Sequence, residues 1–201
     1  MLKELIDFVD SILPSVPLDT KEGVQDAIAQ FEKEGHQIKY LMAKPLSKLS
    51  QGDIISNIPF RYYMDNGKQR EFVSNALVLS TSCHIDQKDK LVLVPVLPLD
   101  VYKGNMIDLK KNKVIDFMYI PDGVMEELFV DFEIMNTFSK NLIMSGIKNK
   151  KQNVIASLNQ VGYYFFIIKL TVYLMRREDI GTLEERNENR YKSIFDEFKK
   201  T

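Results

Sequence analysis

Six residues able to donate, accept or attack fall within seven positions: Ser80, Thr81, Ser82, Cys83, His84 and Asp86. On an extended segment Ser82, His84 and Asp86 alternate and share one face, which brings a hydroxyl, an imidazole and a carboxylate together. Such a trio can move protons on a bound group. The same three can instead close a hydrogen-bonded turn at a strand end, with Asp86 bonding to nearby backbone. Cys83 beside His84 invites a nucleophile and base pair, but strand neighbours point to opposite faces, and Cys83 serves equally as a small buried hydrophobe. A second set lies upstream, where Arg61, Lys68 and Arg70 interleave with Tyr62, Tyr63 and Phe72 around Asp65, Asn66 and Gly67. Cations among aromatics suit phosphate pairing and base stacking on single-stranded nucleic acid, and they equally suit a solvated hairpin loop.

The elements that must position these residues can be read from the apolar pattern. Residues 76–79 and 91–97 are short runs rich in Val and Leu, so the polar cluster sits between two buried strands. Gly52 and Asp53 turn the chain into an alternating segment over 49–60, and Asp65 to Lys68 supply turn residues for a hairpin. Further strands are expected over 114–120 and 128–134, with a polar, Lys-rich connector over 108–113. A helix is expected over 154–177, apolar nearly all round and therefore covered on most sides. Gly181 should break that run and open a charged tail whose Tyr191, Ile194, Phe195 and Phe198 can dock on the body or on a partner. At the other end, Leu2, Leu5, Ile6, Val9, Ile12 and Leu13 repeat at helical spacing up to Pro14. Val24, Ala27, Ile28 and Phe31 form a second amphipathic stripe ending at Gly35. This helical pair caps the core or holds a partner, and His36 after it reads as a surface or capping residue.

Composition narrows the function classes. The chain has 201 residues, 45% hydrophobic and 27% charged, as expected of a globular protein with room for a sizeable core. Its 27 Lys and Arg balance 28 Asp and Glu, so any polyanion would be held by a local patch and not by an overall field. One cysteine rules out an internal disulfide and suits a reducing, cytoplasmic setting. One Cys with His36 and His84 supplies too few soft ligands for a structural zinc site, and no metal or cofactor is expected. The most apolar run, 161–175, is too short to span a bilayer and contains Lys169.

The order of pieces, Gly52-Asp53-Ile54-Ile55, then Asn-Ala-Leu-Val-Leu-Ser at 75–80, then Leu-Val-Leu-Val-Pro-Val at 91–96, resembles the MazF/PemK toxin family over roughly 49–144. That family typically shows a Gly-Asp-Ile/Val strand, an Arg-Pro-Ala-Leu-Val strand ending in Ser, and a Val-Ala-Pro-Ile-Thr strand. The resemblance implies an α+β fold: a small, curved antiparallel β-barrel of SH3-like type, often dimeric, over 45–177 with a long buried C-terminal helix. An N-terminal helical appendage (1–44) and a charged helical tail (178–201) would flank it. It also implies a toxin–antitoxin or phage-defence setting, a groove for an antitoxin-like protein partner, and metal-independent cleavage of single-stranded RNA. The departures fall where the chemistry should be, since Ser74 replaces the family's Arg, Asn75 its Pro, and Leu97 its closing Thr. The expectation is therefore a barrel that binds and regulates a protein partner without catalysis. The alternative is an endoribonuclease using a rearranged set of Arg61, Arg70, Ser82, His84 and Asp86.

Overall fold

A computed structural model describes residues 39–121, 127–175 and 179–188. The expected N-terminal helical pair, His36, the turn residues Asp122 and Gly123, and the end of the tail lie outside these. In chain order the elements are β1 (Asp53–Tyr63), β2 (Gln69–Val78), α1 (Ser82–Gln87), β3 (Lys90–Pro98), α2 (Met106–Lys110), β4 (Phe117–Ile120), β5 (Leu128–Asp131), β6 (Asn136–Ser139), α3 (Lys140–Lys148), β7 (Val154–Ser157), α4 (Gln160–Leu174) and α5 (Ile180–Glu188). The fold is α+β, as expected. Its seven strands form one antiparallel sheet in the order β4-β5-β3-β2-β1-β7, with β6 also paired to β3.

The strand ladder does not close into a barrel. Instead the sheet curls until β6 meets β1, where the Asn136 side chain stands in for a strand. Its Oδ1 accepts from the Arg61 N–H at 2.9 Å and its Nδ2 donates to the Arg61 carbonyl at 3.1 Å. A bulge in β1 between Ile55 and Ile58, with Asn57 at φ 58°, supplies part of the bend. Inside the curl pack Ile55, Ile58, Phe60, Ala76, Val78, Leu91 and Leu93, all fully buried or nearly so. Phe60 stacks on Phe72 at 5.7 Å and meets Phe138 edge-on at 5.8 Å, so aromatic contacts join β1 to β6 across the interior.

The two ends of this curl differ. Ile85 from α1 and Ile143 from α3 plug the end where β2 finishes and β3 begins. At the other end β2 and β3 splay apart, because their pairing runs only from Val78 with Leu93 to Asn75 with Val96. The opposite sheet face carries α4. Phe165 and Phe166 pack there with Ile54, Leu77, Val94, Val96 and Val130. Asn159 caps the helix by accepting from Gly162 N at 2.9 Å. Gly162 is required because a Cβ there would lie 2.5 Å from the Tyr40 carbonyl, while Tyr40 stacks on Phe165 at 5.5 Å.

Several local expectations are corrected. Residues 154–157 form β7 paired with β1, so the long helix begins only at Gln160. The connector expected over 108–113 contains the end of α2, which Asn105 caps. Gly181 breaks nothing, lying in the first turn of α5, where the Asp179 carboxylate accepts from Thr182 N at 2.9 Å. Among the described residues no helix is long and apolar enough to cross a membrane.

The Gly-Asp motif is a hinge for the sheet. Gly52 sits at φ 86°, and a Cβ would come within 3.2 Å of Leu158. The carboxylate of fully buried Asp53 accepts from the Ser157 hydroxyl at 2.5 Å and from Ser50 N at 2.7 Å, and Ser157 Oγ accepts from Leu46 N at 2.9 Å. One side chain thereby fastens β1, β7 and the 46–50 loop. Burial raises the Asp53 carboxyl above its ordinary value against the lowering effect of those two bonds.

Candidate functional site: the groove at the open end of the sheet

The polar cluster of the β2–β3 connection is helical. Thr81 caps α1, its hydroxyl accepting from His84 N at 3.3 Å, and Lys140 closes the other end by donating to the carbonyls of Ile85 at 2.9 Å and Asp86 at 3.4 Å. The shared face expected for Ser82, His84 and Asp86 is therefore not formed. At about 100° per residue Ser82 and Asp86 lie on one side of α1 and His84 turns to the other. The extended reading fails because a threonine cap and the burial of Ile85 fix a helical turn there. Ser82 Oγ accepts from Gln51 N at 3.4 Å, while Cys83 and His84 are exposed.

Arg61 and Arg70 lie at the opposite end of the sheet. Eight residues of β2 separate Arg70 from Val78, about 27 Å at ~3.4 Å per residue, before the chain reaches α1. Arg61 pairs with Glu71 across the hairpin at 3.5 Å, both side chains well exposed, and Arg70 Nη1 donates to Tyr62 Oη at 3.4 Å. The five sequence candidates thus form two separate groups.

Arg70 alone of the five borders a groove. Where β2 and β3 splay, a cleft of about 670 Å³ opens, bordered on one side by Tyr62, Arg70, Val73 and Ser74 and on the other by Leu97, Pro98 and Val101, with Asn57, Asp131 and Ile134 also lining it. Ser74 and Leu97 both line this cleft. Val73 and Val101 stand out into solvent at its rim.

Asp131 is the residue sequence reasoning passed over. It ends β5 inside the segment Leu-Phe-Val-Asp-Phe-Glu-Ile, where its place in a strand pattern hid its burial; it is only 8% exposed. Its Oδ1 accepts from Glu133 N at 2.9 Å, turning the chain towards β6. Burial, with smaller contributions from the charges of Glu133 and Asp116, pushes its carboxyl up to about 6, against backbone bonds from Glu133 and Ile134 that lower it. A carboxyl at that value in a groove can accept a proton near neutrality or receive a cationic donor. In the sequence Asp131 shares the polar phase of this segment with Glu133, opposite Leu128, Val130 and Phe132, so no local signal marked it as buried.

A smaller hollow of about 330 Å³ is lined by Ile107, Lys110, Lys111, Tyr119, Pro121 and Glu127. Its polar groups satisfy one another: Lys110 bonds Glu127 at 2.7 Å, and the Tyr119 hydroxyl donates to the same carboxylate. Among the described residues no three His, Cys, Asp or Glu converge as metal ligands. No protein-family model matches the chain, and no curated protein matches it in sequence.

Proposed function

We propose that this chain is a binding module, built along MazF/PemK-like lines as a curled SH3-type sheet, that acts in the cytoplasm by holding a protein partner of a toxin–antitoxin or phage-defence system. The observation that carries the reading is the groove itself. It is open, half apolar, and lined by Ser74 and Leu97 at the positions where an enzyme of that family would place its Arg and Thr. A hydroxyl and an aliphatic chain can hold a peptide but cannot neutralise charge on phosphorus. The test uses rim substitutions that leave the core alone. Val73→Lys and Val101→Lys should release the protein that co-purifies stoichiometrically from the native host, whereas His84→Ala, at the plugged end, should retain it. Release by His84→Ala and retention by both rim variants would sink the groove.

One observation favours the alternative, a metal-independent endoribonuclease acting on single-stranded RNA: Arg70 and Asp131 line the same groove. There Asp131 would take a 2′-hydroxyl proton, while Arg70, six residues farther along the groove, would hold another phosphate of the same strand. Under this reading RNA is cut in chelator, and Asp131→Asn and Arg70→Ala abolish the cutting while His84→Ala preserves it. Intact RNA after long incubation with the wild-type protein removes the alternative.

A further inference from the structure

Among the described residues the other sheet edges near the groove are each engaged at one position or more. The outer edge of β4 is engaged by the Asn112 side chain, which accepts from Tyr119 N at 2.7 Å and donates to Tyr119 O at 3.3 Å. At β7 the preceding segment lies alongside, with Met42 N donating to Ser157 O at 2.8 Å and a bridge between Leu41 and Leu158. The far half of β1 is held by Asn136. The exception is β2 over 69–74, whose side away from β1 pairs with no strand among the described residues.

The register shows which backbone groups are left there. Arg61 turns its N–H and carbonyl towards Asn136, so they point away from β2. By alternation Pro59 does the same, which is why a residue without an N–H is tolerated in β1. Arg61 faces Glu71 and Pro59 faces Val73, so the N–H and carbonyl groups of Glu71 and Val73 point away from β1, into the groove. Continuing the alternation, Asn75 is the residue that meets β3 at Val96. An unguarded edge of this kind is a template for one more strand.

Charge narrows the occupant. Arg70 has no carboxylate within ion-pair distance and Asp131 no cation, among the described residues. Asp131 follows Val130, which faces Val96 and through it Asn75, so Asp131 lies level with Ala76, six residues from Arg70. Both side chains belong to the face that carries Phe72, Ser74 and Ala76. The charged groups that act on Asp131 are Glu133 on its own turn and Asp116 before β4, both acidic; the nearby cation Lys169 on α4 acts on Asp116 instead, and its Nζ donates to the Asn112 and Val114 carbonyls.

We propose that the groove receives an extended peptide segment of a partner protein, which adds to the free edge of β2 at Glu71 and Val73 and presents an acidic side chain to Arg70 and, four residues on, a basic one that reaches beyond the edge to Asp131. This rests on the groove reading above and specifies how the groove is filled. The even spacing keeps both charges on one face of the added strand. Backbone pairing supplies affinity and the two charges set direction.

The probe is a nine-residue peptide of alternating Thr and Val carrying one Glu and one Lys four positions apart, with the charge-exchanged peptide and a neutral one as comparisons. Binding is followed on the full chain by the methyl signals of Leu97 and Ile134 and by amide exchange at Glu71 and Val73. The parent peptide should shift the methyls and slow both amides, and it should bind about tenfold more tightly than the charge-exchanged peptide, a difference lost in Asp131→Asn. Methyl shifts without slowed exchange at Glu71 and Val73 overturn strand addition while leaving the groove as the binding place. Equal binding of all three peptides overturns the charge assignment. No methyl shift with any peptide overturns this proposal and takes from the groove reading its peptide-binding role. Slow exchange of both amides in the free protein, together with concentration-dependent dimerisation, would show that a second copy of the chain holds the edge and would overturn the proposal.

Discussion

Replacing Asp131 by Asn should stabilise the protein at neutral pH, although it removes a buried, hydrogen-bonded group. The amide keeps an oxygen for the Glu133 N–H, now 2.9 Å from Oδ1, and removes the charge that Glu133, Asp116 and burial all oppose. A carboxyl titrating at about 6 in the fold against an ordinary 3.8 corresponds to about 3 kcal/mol at ~1.4 kcal/mol per pH unit. The sign follows from proton binding. The folded chain holds the Asp131 proton more tightly than the unfolded chain does. The wild type therefore gains stability as pH falls from above 6 towards 4, and carries the full cost above 6. Urea unfolding at pH 8 should show Asp131→Asn more stable by up to about 3 kcal/mol, and the two proteins should converge only near about pH 3, where Asp131 is neutral in the folded and the unfolded chain alike. A difference that is the same at both pH values, or a variant less stable at pH 8, would refute the electrostatic account and make Asp131 a purely geometric turn residue.

Gly162→Ala should lower the melting temperature. The new methyl lies 2.5 Å from the Tyr40 carbonyl, and the ~1 kcal/mol that alanine gains in a helix is smaller than the strain of moving a backbone. Asn136→Ala should cost about 1–2 kcal/mol for two partly solvated bonds and selectively speed exchange of the Arg61 amide, which hydrogen-exchange mass spectrometry can read. Burial lowers Lys169 to about 8, against an opposing effect of Asp116. Because the unfolded chain keeps this proton up to its ordinary 10.5, stability should rise between pH 8 and 10, and Lys169→Met should abolish that rise.

The parts of the fold legible in the sequence were those where one residue type carries one physical requirement. Runs of Val and Leu at 76–79 and 91–97 admitted only buried strands, and Gly52 with Asp53 marked a strand start whose backbone only glycine fits. Legibility failed where context outweighed local pattern. Residues 154–157 continue the apolar run of α4, and only their pairing with β1 makes them a strand. The trio Ser82, His84 and Asp86 alternates on paper, but Ile85 needed burial and Thr81 could cap, so a helix formed. The groove is a property of where two strands part, which depends on the partners of β3 and on no local motif. Arg70 was visible as a cation in a hairpin, but the carboxylate that shares its groove comes from a strand some sixty residues later.

The two asparagines that complete the sheet edges also bear on how the protein reaches its folded state. Asn112 and Asn136 each imitate a single residue of a neighbouring strand, and each reaches its position only after the strand it protects has formed. Until then β4 and β1 present open ladders, as β2 does in the finished fold, so a partly folded chain offers its neighbours more edge than the described residues of the folded one do. Refolding yield should therefore fall steeply with protein concentration, and more steeply for Asn112→Ala and Asn136→Ala than their loss of equilibrium stability would explain.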